Sequence, residues 1–238
     1  MIAIDVGNTR IKWGVYDGSS WSQRGNLLTA EVTRIGEVAA AWPEGDRVIA
    51  CNVAGEPVRD QIDRRLSARF SAISWLRSDV ESCGVRNGYD LPERLGADRW
   101  AALIGARGHT DRACLVVCAG TATTADWLDA DGNFRGGVIL PGMDLMLASL
   151  ARDTAQLPLA EGEFRLAPRN TGDAIVSGCL HAQVGAIERM FAAVASEPSA
   201  KCLLTGGASP RIARHLSIPF QLMENLILDG LVRFGMSR

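Results

Sequence analysis

Histidine is scarce in this 238-residue chain: the three present, His109, His181 and His215, stand apart, with no H-E-x-x-H pair and no nucleophile elbow. That scarcity argues against zinc hydrolysis and against a histidine-based triad. The six cysteines, Cys51, Cys83, Cys114, Cys118, Cys179 and Cys202, are scattered, with no C-x-x-C pair and no histidine at metal spacing, so they read as reduced thiols. Positive charge is not in excess either. With 25 Lys and Arg against 27 Asp and Glu, the net charge of −2 supplies no field for nucleic acid or an anionic membrane, so any anion site must be local. No apolar run approaches the roughly 18 residues of a membrane span. Residues 2–4 already read as strand, which leaves no room for a signal peptide, and the expected compartment is the cytoplasm, without a membrane partner.

What is present is an ordinary globular composition, 47% hydrophobic and 22% charged, sufficient for one large domain or two small ones with a substantial core. The most informative feature is a doubled glycine turn. Gly7 sits in the stretch Asp5, Val6, Gly7, Asn8, Thr9, and Gly120 in the stretch Cys118, Ala119, Gly120, Thr121, Ala122, Thr123, Thr124. Each follows an apolar run and leads into a second strand that ends at a polar turn. Two such hairpins in a pseudo-symmetric chain are what a two-lobed nucleotide-binding fold needs, because backbone N–H groups and hydroxyls can then cradle a polyphosphate.

The pattern between the turns alternates helix and strand. Residues 2–17 read as strand, tight turn and strand, with Gly7 and Asn8 tolerating positive φ. Residues 31–42 read as an amphipathic helix, 47–53 as a strand, 57–70 as a helix, 72–76 as a strand and 82–94 as a loop; Asp98 falls at the start of a helix running to 107. In the second half, 134–140 read as a third strand ending at Pro141 and Gly142, 143–152 and 178–195 as helices, and 201–205 as a strand. Gly206 and Gly207 turn into another helix, and 224–234 read as a last one. This predicts an α/β fold with mixed sheets and flanking helices, divided near the polar stretch at 108–112 into lobes 1–112 and 113–238.

Each motif admits two readings from its residues alone. Asp5 suits a nucleotide-bound Mg²⁺, which takes one or two carboxylates, but it could equally cap a hairpin served by Asn8 and Thr9. Gly120 to Thr124 could bind phosphate or be a threonine-rich strand. The turn at Gly206 and Gly207 could approach an adenosine or simply join strand to helix. Asp98 could accept a proton from an alcohol and Arg99 could grip an anionic substrate, or the pair could be a helix cap and a solvent-facing first-turn arginine.

Taken together, these residues resemble the type III pantothenate kinase family, of the acetate and sugar kinase/Hsp70/actin superfamily, whose members include Bvg accessory factors. The resemblance covers nearly the whole chain: residues 5–9 with Lys12, 95–99, 120–124 with Asp126, 137–142, 154–158, 170–178 and 204–207. It implies two ribonuclease H-like lobes of the actin-like ATPase and sugar kinase type, ATP in the cleft, phosphoryl transfer to the 4′-hydroxyl of pantothenate as the first step of coenzyme A synthesis, and a homodimer with pantothenate near its interface. Carried over by position, it implies nucleotide and phosphate contacts from Asp5, Val6, Gly7, Asn8, Thr9, Arg10, Ile11 and Lys12, from Gly120, Thr121, Ala122 and Thr123, and from Gly206 and Gly207. It further implies Asp98 as general base, Asp5 as a catalytic group holding Mg²⁺ with the nucleotide, and a pantothenate pocket lined by Tyr89, Gly96, Ala97, Asp98, Arg99 and Thr171.

The chain departs from the family pattern at Cys118, where an Asp linked to a K⁺ or NH₄⁺ site usually stands. A neutral thiol is a poor ligand for a hard cation. The expectation is therefore an enzyme that works without added K⁺, the cation site being lost or replaced by a basic group or by a side chain of the partner subunit. Two other functions compete: a kinase of this fold acting on another hydroxyl acceptor, or a non-catalytic regulator, against which the acidic balance argues.

Overall fold

The apolar run Ile2–Val6 forms the first strand (β1), buried on both faces at the centre of a five-stranded sheet. It lies antiparallel to β2 (Arg10–Tyr16), which pairs with β3 (Trp21–Leu28), and parallel to β4 (Val48–Asn52), which pairs with β5 (Ile73–Trp75). The computed structural model describes residues 1–44, 47–153 and 161–238, so the motif at 154–158 lies outside the described residues. The expected helix at 31–42 is split between a 3₁₀ segment, Thr29–Arg34, and a short α1 (Ile35–Ala39). Glu31 leaves helical geometry there (φ −99°, ψ 19°), and this kink lets Val32 and Ile35 both reach the core. Helix α2 (Glu56–Leu66) covers the same face of the sheet.

Period-two alternation sorts the side chains of these strands. Ile2, Ile4, Val6, Ile11, Val15, Val48 and Ala50 enter one core with Ile35, Ile62 and Leu66. The opposite set, which includes Ala3, Asp5, Lys12 and Cys51, therefore shares the other face, where α3 (Ala97–His109) and the C-terminal helix pack on the strands. Residues 82–94 are not a plain loop: β6 (Glu81–Ser82) and β7 (Val85–Asn87) make a small hairpin, and Pro92–Arg94 a 3₁₀ turn. Two- and three-residue strands are too short to show periodicity in sequence.

The second half repeats the strand plan. Strand β8 (Cys114–Ala119) is antiparallel to β9 (Ala122–Leu128), which neighbours β10 (Asn133–Pro141), and parallel to β11 (Lys201–Thr205), which pairs with β12 (Phe220–Leu222). The order β10-β9-β8-β11-β12 thus matches β3-β2-β1-β4-β5 strand for strand. Helix α4 (Met143–Asp153) follows β10, and α5 (Thr171–Val194) begins seven residues before the expected start, because Asn170 caps it by accepting from Asp173 N at 2.9 Å. Short α6 (Ser209–Ala213) precedes β12, and α7 (Leu226–Met236) closes the chain.

The chain divides into two compact units: Met1–Asp111 with Gly132–Phe134 and Asn225–Arg238, and Arg112–Asp131 with Arg135–Glu224. This differs from a single cut near 112 in two places, the β9–β10 turn and α7, both of which join the first unit. α7 goes there because it packs directly on α3, its counterpart in the strand-helix order. The two backbones touch through glycines: a Cβ at Gly105 would overlap the Leu226 carbonyl oxygen, and one at Gly230 the Ala101 carbonyl oxygen. Neither carbonyl can move without bending its helix. Gly230→Val should therefore cost about 3 kcal/mol or more, measured by urea unfolding; a midpoint equal to wild type would show slack at this crossing.

Candidate functional site

In the first unit, strand register gathers the chemistry around Asp5. Asp5 faces Lys12 across the antiparallel pair and Cys51 across the parallel pair, and the Cys51 thiol donates to Asp5 Oδ1 at 3.6 Å. Only 5% of Asp5 is exposed. Burial, opposed by Lys12 and aided by the charge of Asp98, raises its pKa to about 6. The Cys51 thiol is itself pushed up by burial and by both carboxylates, so it stays protonated and serves as a donor.

Asp98 lies in the first turn of α3 but is not its cap. The N-cap position is Gly96, with no side-chain capping bond, and Asp98 Oδ1 instead accepts from the Arg99 N–H at 2.8 Å. A Cβ at Gly96 would sit 2.7 Å from that oxygen, so glycine is what leaves room for the carboxylate. Burial raises the Asp98 pKa, opposed by the Arg99 N–H, the Arg99 guanidinium and Lys12. Ala97 and Gly96 are half-buried beside it.

Arg99 does not point to solvent. It is 4% exposed, its Nη1 donates to the Tyr89 hydroxyl at 2.6 Å, and its Cζ lies 5.4 Å from the Tyr89 ring centroid and 5.7 Å from that of Phe134. Tyr89 and Phe134 stack at 5.5 Å. Sequence reasoning missed Cys51 and Phe134 as neighbours of the site. Cys51 carries no motif, and its place beside Asp5 follows only once β1 and β4 are known to pair in that register.

The turn after β1 is built differently from the expectation. Neither Gly7 nor Asn8 has positive φ. The turn closes instead by Gly7 N donating to the Arg10 carbonyl at 3.1 Å, with the Thr29 hydroxyl donating to the Gly7 carbonyl at 2.7 Å. Asn8, Thr9 and Arg10 are exposed and Lys12 is half-buried. Val6 and Ile11 are fully buried in the core and present no exposed surface to a ligand.

In the second unit the glycine turns meet one another. Gly120 N donates to the Ala122 carbonyl at 3.0 Å, Gly142 N donates to the Thr121 carbonyl at 2.9 Å, and a Cβ on Gly142 would overlap the Gly120 carbonyl oxygen. Gly206, at φ +102°, packs on the end of β8 so closely that a Cβ would overlap the Ala119 carbonyl oxygen, which also accepts from Ala208 N at 3.1 Å. Gly120, Thr121 and Ala122 are exposed, whereas Thr123 is fully buried with no partner for its hydroxyl. Thr123 therefore faces away from the open side of the turn. Thr171, also in this unit, opens α5 and lines a groove of about 790 Å³ with Met146, Leu150, Arg169, Ala174 and Cys179. It shares no element with Tyr89, Asp98 and Arg99.

Among the described residues no group of three or more His, Cys, Asp or Glu could hold a metal by itself. The donor set does fit a nucleotide-borne Mg²⁺, since that ion keeps several waters and needs one or two carboxylates besides phosphate oxygens. None of the six cysteines forms a disulfide. No described helix is long and apolar enough to cross a membrane.

Comparisons with known proteins bear on the same residues. A curated type III pantothenate kinase of Aromatoleum aromaticum is 56% identical over 231 residues, 97% of this chain and 96% of the relative. Among solved structures, a conserved Baf family protein of Campylobacter jejuni aligns over 100% of this chain and 98% of its own, with TM-score 0.67 at 19% identity. ADP-bound MreB5 of Spiroplasma citri aligns over 99% and 96%, with TM-score 0.56 at 8% identity. These two likenesses establish the actin-like ATPase and sugar kinase fold. The family model for type III pantothenate kinase matches residues 1–193 and so contains both glycine turns, Asp98 and Arg99; the chain belongs to the type III pantothenate kinase family.

Proposed function

We propose that this chain transfers the γ-phosphoryl group of ATP to the 4′-hydroxyl of pantothenate, with Asp98 as the group that takes the hydroxyl proton. The bond from the γ-phosphorus to the ADP oxygen breaks, a new bond forms to the pantothenate oxygen, and the proton passes to the Asp98 carboxylate. Family membership supplies the reaction class. The observation that carries the assignment of roles is the placement of two raised-pKa carboxylates, Asp5 and Asp98, within electrostatic reach of each other and of Lys12, beside the buried cation of Arg99.

Phosphoryl transfer passes through a loose transition state, so positioning and charge neutralisation outweigh covalent assistance. Backbone N–H groups and exposed side chains at Gly7, Asn8, Thr9 and Arg10, and those at Gly120, Thr121 and Ala122, are suited to phosphate oxygens. Asp5 would hold Mg²⁺, which neutralises the charge developing on the phosphates. Lys12 lowers the pKa of both carboxylates and so keeps a larger fraction ionised at neutral pH. Gly206 and Gly207 are offered to the adenosine, and Gly96, Ala97, Arg99 and Tyr89 to pantothenate, the guanidinium meeting its carboxylate. Thr171 is assigned to the same substrate. The protein acts as a cytoplasmic homodimer without a nucleic-acid or membrane partner.

The test is a coupled ADP-release assay with each of pantothenate, Mg²⁺ and K⁺ omitted in turn. ADP release should require pantothenate and Mg²⁺ and should persist in Tris buffer free of K⁺ and NH₄⁺, because Cys118 offers a thiol where a hard cation needs oxygen. Release that is indifferent to pantothenate but follows another alcohol would replace the substrate. Activity seen only with K⁺ would restore the cation site.

A further inference from the structure

Phe134 belongs to neither glycine turn and to none of the expected pockets, yet its ring lies against the buried guanidinium. We infer that Phe134 is a positioning residue of the acceptor site, its ring face holding Arg99 in the orientation that receives the acceptor's carboxylate; this rests on the pantothenate reading above.

Three observations converge on it. First, Gly132–Phe134 cluster with the first unit although the chain on both sides belongs to the second, so the β9–β10 turn delivers this ring into the unit that holds Arg99. Second, the ring is fixed by a closed set of contacts. Phe134 pairs with Asn87 in the β10–β7 register, Asn87 Oδ1 accepts from Tyr89 N at 3.1 Å, and Tyr89 stacks back on Phe134 at 5.5 Å. Third, both rings lie within 6 Å of the Arg99 Cζ, the range over which an aromatic face attracts a cation, and the Tyr89 hydroxyl also accepts from the guanidinium, at 2.6 Å. Tyr89 therefore fixes one Arg99 nitrogen, and Phe134 sets the plane of the fork without occupying a donor. A guanidinium so held loses little further freedom when it meets a planar carboxylate.

The interaction is electrostatic with the ring quadrupole, which separates it from simple packing. Replacing Phe134 with mono-, di- and trifluorophenylalanine keeps the volume nearly constant while the negative ring face fades. Pantothenate KM should rise stepwise to about 3–10-fold, with ATP KM and thermal midpoint unchanged. Phe134→Leu should give at least that rise, and Phe134→Tyr should recover most of it. Wild-type enzyme that responds to pantothenate alongside a fluorinated series with flat KM would overturn the positioning role, as would a series in which both KM values and the midpoint drift together. Wild-type enzyme that releases no pantothenate-dependent ADP would overturn the pantothenate reading first and this inference with it.

Discussion

Asp5→Asn is expected to yield a protein that barely turns over and is harder to unfold at neutral pH. The two effects share one cause. Asp5 is 5% exposed and its pKa is raised from 3.8 to about 6, chiefly because burial penalises the charged form. Between those pH values the folded state binds more protons than the unfolded state, so stability falls as pH rises through the window, and the penalty is complete above about pH 6. At about 1.4 kcal/mol per pH unit, the cost is of order 2–3 kcal/mol at pH 8, and it vanishes well below the unfolded value of 3.8, where Asp5 is neutral in both states. Asparagine has the shape without the charge. Urea unfolding in metal-free, nucleotide-free buffer should therefore show Asp5→Asn more stable than wild type at pH 8, with the difference shrinking as pH falls through 6 and nearly closed once the pH reaches the unfolded value of 3.8. Equal stability at both values would mean the carboxylate is better solvated than its burial implies. Turnover with Mg²⁺ and ATP should drop by about 10²–10³-fold, the usual consequence of deleting one preorganised charge contact at a reacting centre.

The reason Asp5 was legible in sequence, while much of its surroundings was not, lies in how far apart the partners are along the chain. A carboxylate closing an apolar run and followed by glycine is a local signal. Its face is not: Asp5 and Lys12 are known to share a side only once β1 and β2 pair in register, and Cys51 joins them through a parallel pairing with β4. The repeat was visible for the same local reason, since both hairpins carry the glycine turn, and the matching strand orders follow from it. Val6 and Ile11 were drawn into the phosphate set by position, but alternation sends both into the core. The start of α5 was missed because the apolar spacing begins late, although Asn170 followed by Asp173 is an ordinary capping signal. The Arg99 cage could not be anticipated. It depends on β10 reaching β7, a pairing of two residues with no pattern of their own.

Asp98→Asn is expected to lower kcat by about 10²–10⁴-fold, the range for removing a general base, while the protein stays folded. The competing account, that Asp98 only starts a helix, has a structural difficulty. Gly96 holds the N-cap position, and Asp98, already inside the first turn, accepts from the N–H of the very next residue, whereas an N-cap side chain reaches an N–H two or three residues beyond itself. Its pKa is raised by burial, which costs stability that a mere cap has no need to forgo, and which brings the group closer to the pH at which it must exchange a proton. Asparagine can still accept from the Arg99 N–H, so the helix start survives and only the basicity is lost. Near-normal turnover in Asp98→Asn would reduce the residue to a structural role. Arg99→Ala gives the contrast that makes the result interpretable, because a ground-state grip on the acceptor carboxylate appears in KM for pantothenate and a proton acceptor appears in kcat. If both variants instead lost the same parameter by the same factor, Asp98 would be acting through Arg99, and the proton would have to leave by another group.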